Sequence, residues 1–177
     1  MTQFQPDEPI YGVRGWRPRR DAGSFCSTGV EYVWPQAEIT AMHFIREACG
    51  TLGAMANVPH AVMDAPNGEC TLCGIYAYST LEAATQSCYT CATGGETFLG
   101  VVVLWGRVFA APLESAPGFR FRAQHARVLA VERSELGGKA AEEFALPQVE
   151  RAYLLSFAAE HGRALPHSIF QDARTSY

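Results

Sequence analysis

Residues 99–109 read LGVVVLWGRVF, a run of β-branched, leucine and aromatic side chains that is apolar enough to lie in a core. No other stretch of the chain reads so clearly as a strand, and a fold that accommodates it must build a sheet around it. Residues 119–131 (FRFRAQHARVLAV) begin with strict alternation. Phe119, Phe121 and Ala123 fall on one side and Arg120, Arg122 and Gln124 on the other, which predicts a strand buried on one face and exposed on the other. Residues 112–118 hold two prolines and a glycine and connect the two runs. Upstream, YGVRGW (11–16) and VEYVW (30–34) are short and aromatic or β-branched. Turn-forming residues lie between them, so they predict an N-terminal hairpin or meander.

Helical signals are fewer. Ser79 with Glu82 three residues on predicts a capping box, and Leu81, Ala84, Cys88 and Cys91 then share a helix face before Gly94 and Gly95. Residues 148–161 predict an amphipathic helix with Val149, Ala152, Tyr153, Phe157 and Ala158 inward, Pro147 at its start and Gly162 at its end. Residues 37–49 fit either period and are read as helix. Residues 51–68 are rich in Pro, Gly and Asn and read as loop. Together these elements predict an α+β fold. Its centre is a small, strongly bent antiparallel sheet or partial barrel, with two or three flanking helices and a metal knuckle. A barrel of the RNA-associated PUA or ASCH type is one form this could take, by analogy of strand order alone. Residues 1–165 read as one domain and 166–177 as a flexible tail.

With 48% apolar residues in 177, the chain can bury a core without staples, so a metal site would be local reinforcement or function and not the sole source of stability. The start, MTQFQPDEPIYG, has neither a basic segment nor an apolar run, which argues against a signal peptide. Residues 101–105 are the longest apolar stretch and too short for a bilayer. A cytoplasmic location is therefore expected, without a membrane partner. In a reducing compartment six cysteines read as metal ligands or core residues before disulfides.

Cys70-Thr71-Leu72-Cys73-Gly74 is a knuckle whose two thiolates can face one ion, with the following glycine letting backbone amides turn toward the sulfurs. Two ligand sets complete a tetrahedral zinc site. One takes Cys88 and Cys91, a second C-x-x-C. The other takes His60 with His43 or Cys49 from upstream, leaving the helical cysteines as small core residues. Zinc is the expected ion, held structurally. No phosphate-binding glycine loop and no nucleophile elbow is present, so no catalytic residue is assigned.

The net charge of −4 argues against a general polyanion binder, yet residues 107–133 carry five Arg against two Glu. Arg107, Arg120, Arg122, His125 and Arg127 are the candidate contacts if nucleic acid or a nucleotide is a partner, with Arg120 and Arg122 pointing outward together. A lone surface histidine such as His125 is more often simply solvated. Trp16, Trp34 and Trp105 read as core and rim aromatics.

CGIYA at 73–77 and GVVVLWGRV at 100–108, with Gly15-Trp16-Arg17 before them and Gly118-Phe119-Arg120 after, resemble a group of small uncharacterised proteins of actinobacteria and their phages. The resemblance implies no activity. It implies a metal held by the knuckle together with upstream Cys and His. Here Ala41-Met42-His43 would place His43 where the group has Cys, and His60 would supply its histidine. Three functions follow as expectations. The first is a non-catalytic, metal-stabilised interaction or accessory module of a phage or mobile-element assembly, with a protein partner favoured over nucleic acid. The second is a nucleic-acid or nucleotide binder using the strands of 107–133. The third is a metal-dependent hydrolase with an open coordination position.

Overall fold

Strand β6 (Phe98–Pro112) and strand β7 (Phe119–Glu132) form a long antiparallel hairpin, and the rest of the molecule is built on it. The computed structural model describes residues 2–4, 9–18, 25–27, 34, 36–41, 66, 73–91, 96–114 and 117–162. The remaining strands are β1 (Thr2–Phe4), β2 (Ile10–Pro18), β3 (Phe25–Ser27), β4 (Glu38–Thr40), β5 (Ile75–Tyr78) and β8 (Gln148–Val149). The described helices are α1 (Leu81–Cys91), α2 (Glu135–Phe144) and α3 (Leu154–His161), the last preceded by a 3-10 turn at Arg151–Tyr153. The fold is α+β with a mostly antiparallel sheet, and β8 on β7 is the parallel exception.

The pairings run in a ring, β6 to β2, β2 to β5, β5 to β7 and β7 back to β6. The β2–β5 join consists of a single residue pair, Val13 with Tyr78, so the sheet does not close as a clear barrel. β6 shifts register twice against β7, between Val101 and Val102 and between Trp105 and Val108. Such bulges bend a strand and let one ribbon serve two neighbours along its length. Gly106 sits in the second with φ +77, a conformation open to glycine at little cost.

Two apolar clusters lie on opposite faces of the strands, as the period of two requires. The inner one gathers Trp16, Trp34, Phe98, Val102, Leu104, Val108, Phe121, Ala123 and Val128, and α2 lays Ala140 and Ala141 on it. The outer one gathers Val13, Leu99, Val101 and Ala130 under Ala84 and Cys88 of α1 and Leu154 and Ala158 of α3.

Several expectations change. β2 pairs with β3, so the N-terminal hairpin uses 25–27; residues 30–33 lie outside the described residues. Residues 38–40, read as helix, form β4 against β7, with Ile39 buried between exposed Glu38 and Thr40. Residues 42–49, and the loop and tail readings at 51–65 and 166–177, lie outside the described residues. Helix α1 begins two residues beyond the expected cap. The Ser79 hydroxyl instead accepts from the Phe119 N–H at 2.7 Å, and Thr80 caps the Ala83 N–H at 3.2 Å. The single helix expected over 148–161 divides. Gln148 and Val149 add to the edge of β7, and only from Leu154 does an α-helix run, leaving Ala152 and Tyr153 exposed.

Helix α2 has no counterpart among the expected elements, and Gly137 and Gly138 lower its intrinsic propensity. Its N-cap is Ser134, which accepts from the Gly137 N–H at 3.0 Å. A side chain at Gly137 would overlap the Glu132 carbonyl oxygen, so tight docking on β7 decides that residue.

Candidate functional site

Of the Cys70–Gly74 segment the structure describes Cys73 and Gly74, which lead directly into β5. Cys73 is buried and belongs to the inner cluster. Gly74 follows it with φ +106, where an L side chain would be strained, and a Cβ there would press on Pro66 at 2.9 Å. Arg122 of β7 lies beneath this turn. Its Nη1 donates to the Cys73 carbonyl at 3.0 Å, and its guanidinium stacks 5.3 Å from the Phe109 ring centroid. The backbone that carries the second knuckle cysteine is thus pinned from below by a fully buried cation.

The expectation that Arg122 points outward with Arg120 is therefore corrected. The strand alternates as expected, but the residues across from Arg122 are Tyr76 and Phe109, and the Cys73–Gly74 backbone lies against it. The buried-face reading also fails at its first residue: Phe119 is 47% exposed, and burial begins at Phe121.

Cys88 stands elsewhere. It is buried on α1 in the outer cluster, and Gly15 of β2 makes room for its sulfur, since a Cβ at that position would overlap Sγ. Cys73 and Cys88 are not brought together: they lie in separate clusters. Cys70, His60, His43 and the side chain of Cys91 lie outside the described residues. Among the described residues no three His, Cys, Asp or Glu side chains form a group able to hold a metal.

Of the basic strand residues, Arg120, Arg122, His125 and Arg127 lie on β7 and Arg107 on β6, and they differ in state. Arg120 is partly buried, 5.7 Å over the Tyr76 ring. Arg127 stands across from Glu38 of β4. Arg107 lies in the bulge, its N–H donating to Gln124 Oε1 at 3.3 Å. His125, expected to be solvated, is partly buried instead: it stacks on Trp105 at 5.4 Å and its Nδ1 meets Thr40 Oγ1 at 3.0 Å. Burial and, secondarily, the Arg107 charge lower its pKa to about 4, so at neutral pH it is an uncharged hydrogen-bonding ring. Trp16, Trp34 and Trp105 are buried, as expected for core aromatics.

One group escaped the sequence reading. Arg14 of β2 sits among the tryptophans of the inner face, its guanidinium 5.3 Å from the Trp34 ring and 5.9 Å from the Trp16 ring. Nη1 donates to the Tyr76 carbonyl and Nη2 to the Ser27 hydroxyl, which also accepts from Trp34 Nε1 at 3.1 Å. Nε is closed off from solvent and has no hydrogen-bond partner. Burial lowers the Arg14 pKa to about 10, with smaller opposing contributions from Tyr78, Cys88 and Tyr76. A signal existed: Gly12, Arg14 and Trp16 alternate in YGVRGW, which places an arginine on the same face as a core tryptophan.

Comparison with family models, curated proteins and solved structures returns no match for this chain. Among the described residues no helix is long and apolar enough to cross a membrane.

Proposed function

We propose that the protein is a non-catalytic binding module whose Cys70/Cys73 knuckle holds one structural zinc ion and braces a surface for a protein partner. The observation that carries this reading is the turn at Cys73. Its glycine has a positive φ, as a knuckle needs, and its carbonyl is gripped by the buried Arg122. A turn built so rigidly is suited to presenting a thiolate in fixed orientation, as a structural metal site requires. The separation of Cys73 from Cys88 favours His60 and His43 over Cys88 and Cys91 as the completing ligands. The ring of strand pairings supports a partial barrel as the scaffold, with the PUA or ASCH type as its analogue. Membership of a phage or mobile-element assembly rests on the resemblance alone.

Protein is favoured over nucleic acid because two of the five basic candidates are spoken for. Arg122 is committed to the knuckle, and His125 is neutral. Elemental analysis of protein purified without added metal is expected to give about one zinc per chain. Cys70→Ser and Cys73→Ser each release it, His60→Ala weakens it, and Cys88→Ser with Cys91→Ser retains it. Metal near zero, with unfolding indifferent to chelator, refutes the zinc reading. Retention in His60→Ala with loss in the double cysteine variant restores the four-cysteine set.

A nucleic-acid reading on the remaining Arg107, Arg120 and Arg127 has its own test. Titration with single- and double-stranded DNA and RNA would show affinity falling by roughly one power of salt concentration per phosphate neutralised.

A further inference from the structure

Arg14 is partly buried, and a guanidinium drawn away from water is costly to hold unless something anionic answers it. A guanidinium carries five N–H donors in a fixed fork, and Arg14 has partners for two of them, one the Tyr76 carbonyl and one the Ser27 hydroxyl. Both acceptors are neutral. No carboxylate of the described residues pairs with Arg14; the acidic partners there belong to Arg133, Lys139 and Arg151. The indole faces of Trp16 and Trp34 supply cation–π attraction, which holds the charge in place without neutralising it.

The position of Arg14 in the sheet adds a second observation. Strands β2 and β5 pair only at Val13 and Tyr78. The Tyr76 carbonyl, two residues along β5, takes the Arg14 side chain in place of a β2 backbone N–H. The guanidinium therefore occupies the seam where the ring of strands fails to zip, and a ligand could enter there without breaking a backbone ladder.

We propose that Arg14 anchors a binding site for a single oxyanion, carboxylate or phosphate, carried by a small ligand that enters the β2–β5 seam. Ser27 holds Nη2 and is held in turn by Trp34, so the fork is oriented before the ligand arrives. The neighbouring tryptophans shield part of the charge from water, so that an anion meeting it gains more than it would on the open surface. This site is independent of the zinc reading, since none of its residues is a candidate ligand.

The test is titration calorimetry and thermal unfolding of the intact chain with sodium acetate, inorganic phosphate and adenosine monophosphate, at ionic strength held constant with chloride. Saturable binding of at least one is expected. A response to phosphate and the nucleotide alone assigns a phosphate ligand, and a response to acetate alone assigns a carboxylate. Arg14→Met is expected to abolish the response, and Arg14→Lys, which keeps the charge but loses the fork, to weaken it about tenfold. No saturable response of the wild type to any of the three up to about 10 mM, ten times a millimolar dissociation constant, overturns the proposal without reference to a variant. So does a response that survives in Arg14→Met.

Discussion

Gly15→Ala probes the contact between β2 and α1, and the structure gives its sign and its rescue. The φ of Gly15 lies outside the left-handed region, so alanine is compatible with the backbone. Glycine to alanine at such a position stabilises by about 0.4–1 kcal/mol through the unfolded chain. Against this, the new methyl would overlap Cys88 Sγ, while Cys88 Cβ and Leu99 Cδ2, each at 3.5 Å, are ordinary contacts. Overpacking of this kind costs about 1–3 kcal/mol, because few rotamers are open to a buried side chain on a helix. The clash wins, and Gly15→Ala is expected to be destabilising by about 1–2 kcal/mol. That is a fall in Tm of roughly 2–8 °C for a chain of this size. Cys88→Ala removes the sulfur and loses about 1 kcal/mol of burial and packing. In Gly15→Ala/Cys88→Ala the new methyl fills the space the sulfur leaves, so the pair should couple by about 1–3 kcal/mol in the rescuing direction. Urea unfolding of the four proteins measures this directly. A coupling below about 0.5 kcal/mol would mean that Gly15 and Cys88 do not meet, and the packing of α1 on β2 described above would be wrong. Metal analysis of the same Cys88→Ala protein separates packing from ligation, since a packing residue can be removed with the zinc retained.

Two further perturbations test the ends of the sheet. Glu132 is buried; it accepts from the Leu99 N–H at 3.0 Å and pairs with Arg151, which is half exposed. Glu132→Gln keeps an acceptor for Leu99 and should cost about 1 kcal/mol, whereas Glu132→Leu strands that N–H and should cost about 2–4 kcal/mol. Equal urea midpoints for the two variants would show that the Leu99 bond does not matter. At His125 the folded pKa of about 4 lies below the unfolded value of 6.5, so its contribution is complete above pH 6.5 and is lost as pH falls toward 4. Discounted for partial exposure, the loss is about 1–2 kcal/mol. His125→Phe, which keeps the stack on Trp105, should flatten the stability profile between those limits, and an unchanged profile would refute the assignment.

How far the sequence reached depended on whether the deciding contacts were local. Period-two alternation and β-branching mark β6 and β7, because those signals belong to the strand itself. The turn at Gly74 was legible for the same reason. Ser79 looked like a cap, yet its hydroxyl answers Phe119, forty residues away, and Thr80 caps instead. Gly137 disfavours a helix on propensity alone, yet the Glu132 carbonyl requires a glycine there.

For the candidate sites the division is similar. The sequence by itself determined an α+β chain built on two long strands and marked a cysteine–glycine turn, since hydrophobic period and turn chemistry act between near neighbours. Only the tertiary structure decided the rest. It put Cys73 and Cys88 in different clusters, buried Arg122 beneath the Cys73–Gly74 turn, and set Arg14 beside two tryptophans at the unzipped seam. Which face of a strand is covered, and by what, depends on segments remote in the chain. The environment of a charge is fixed only when those segments arrive.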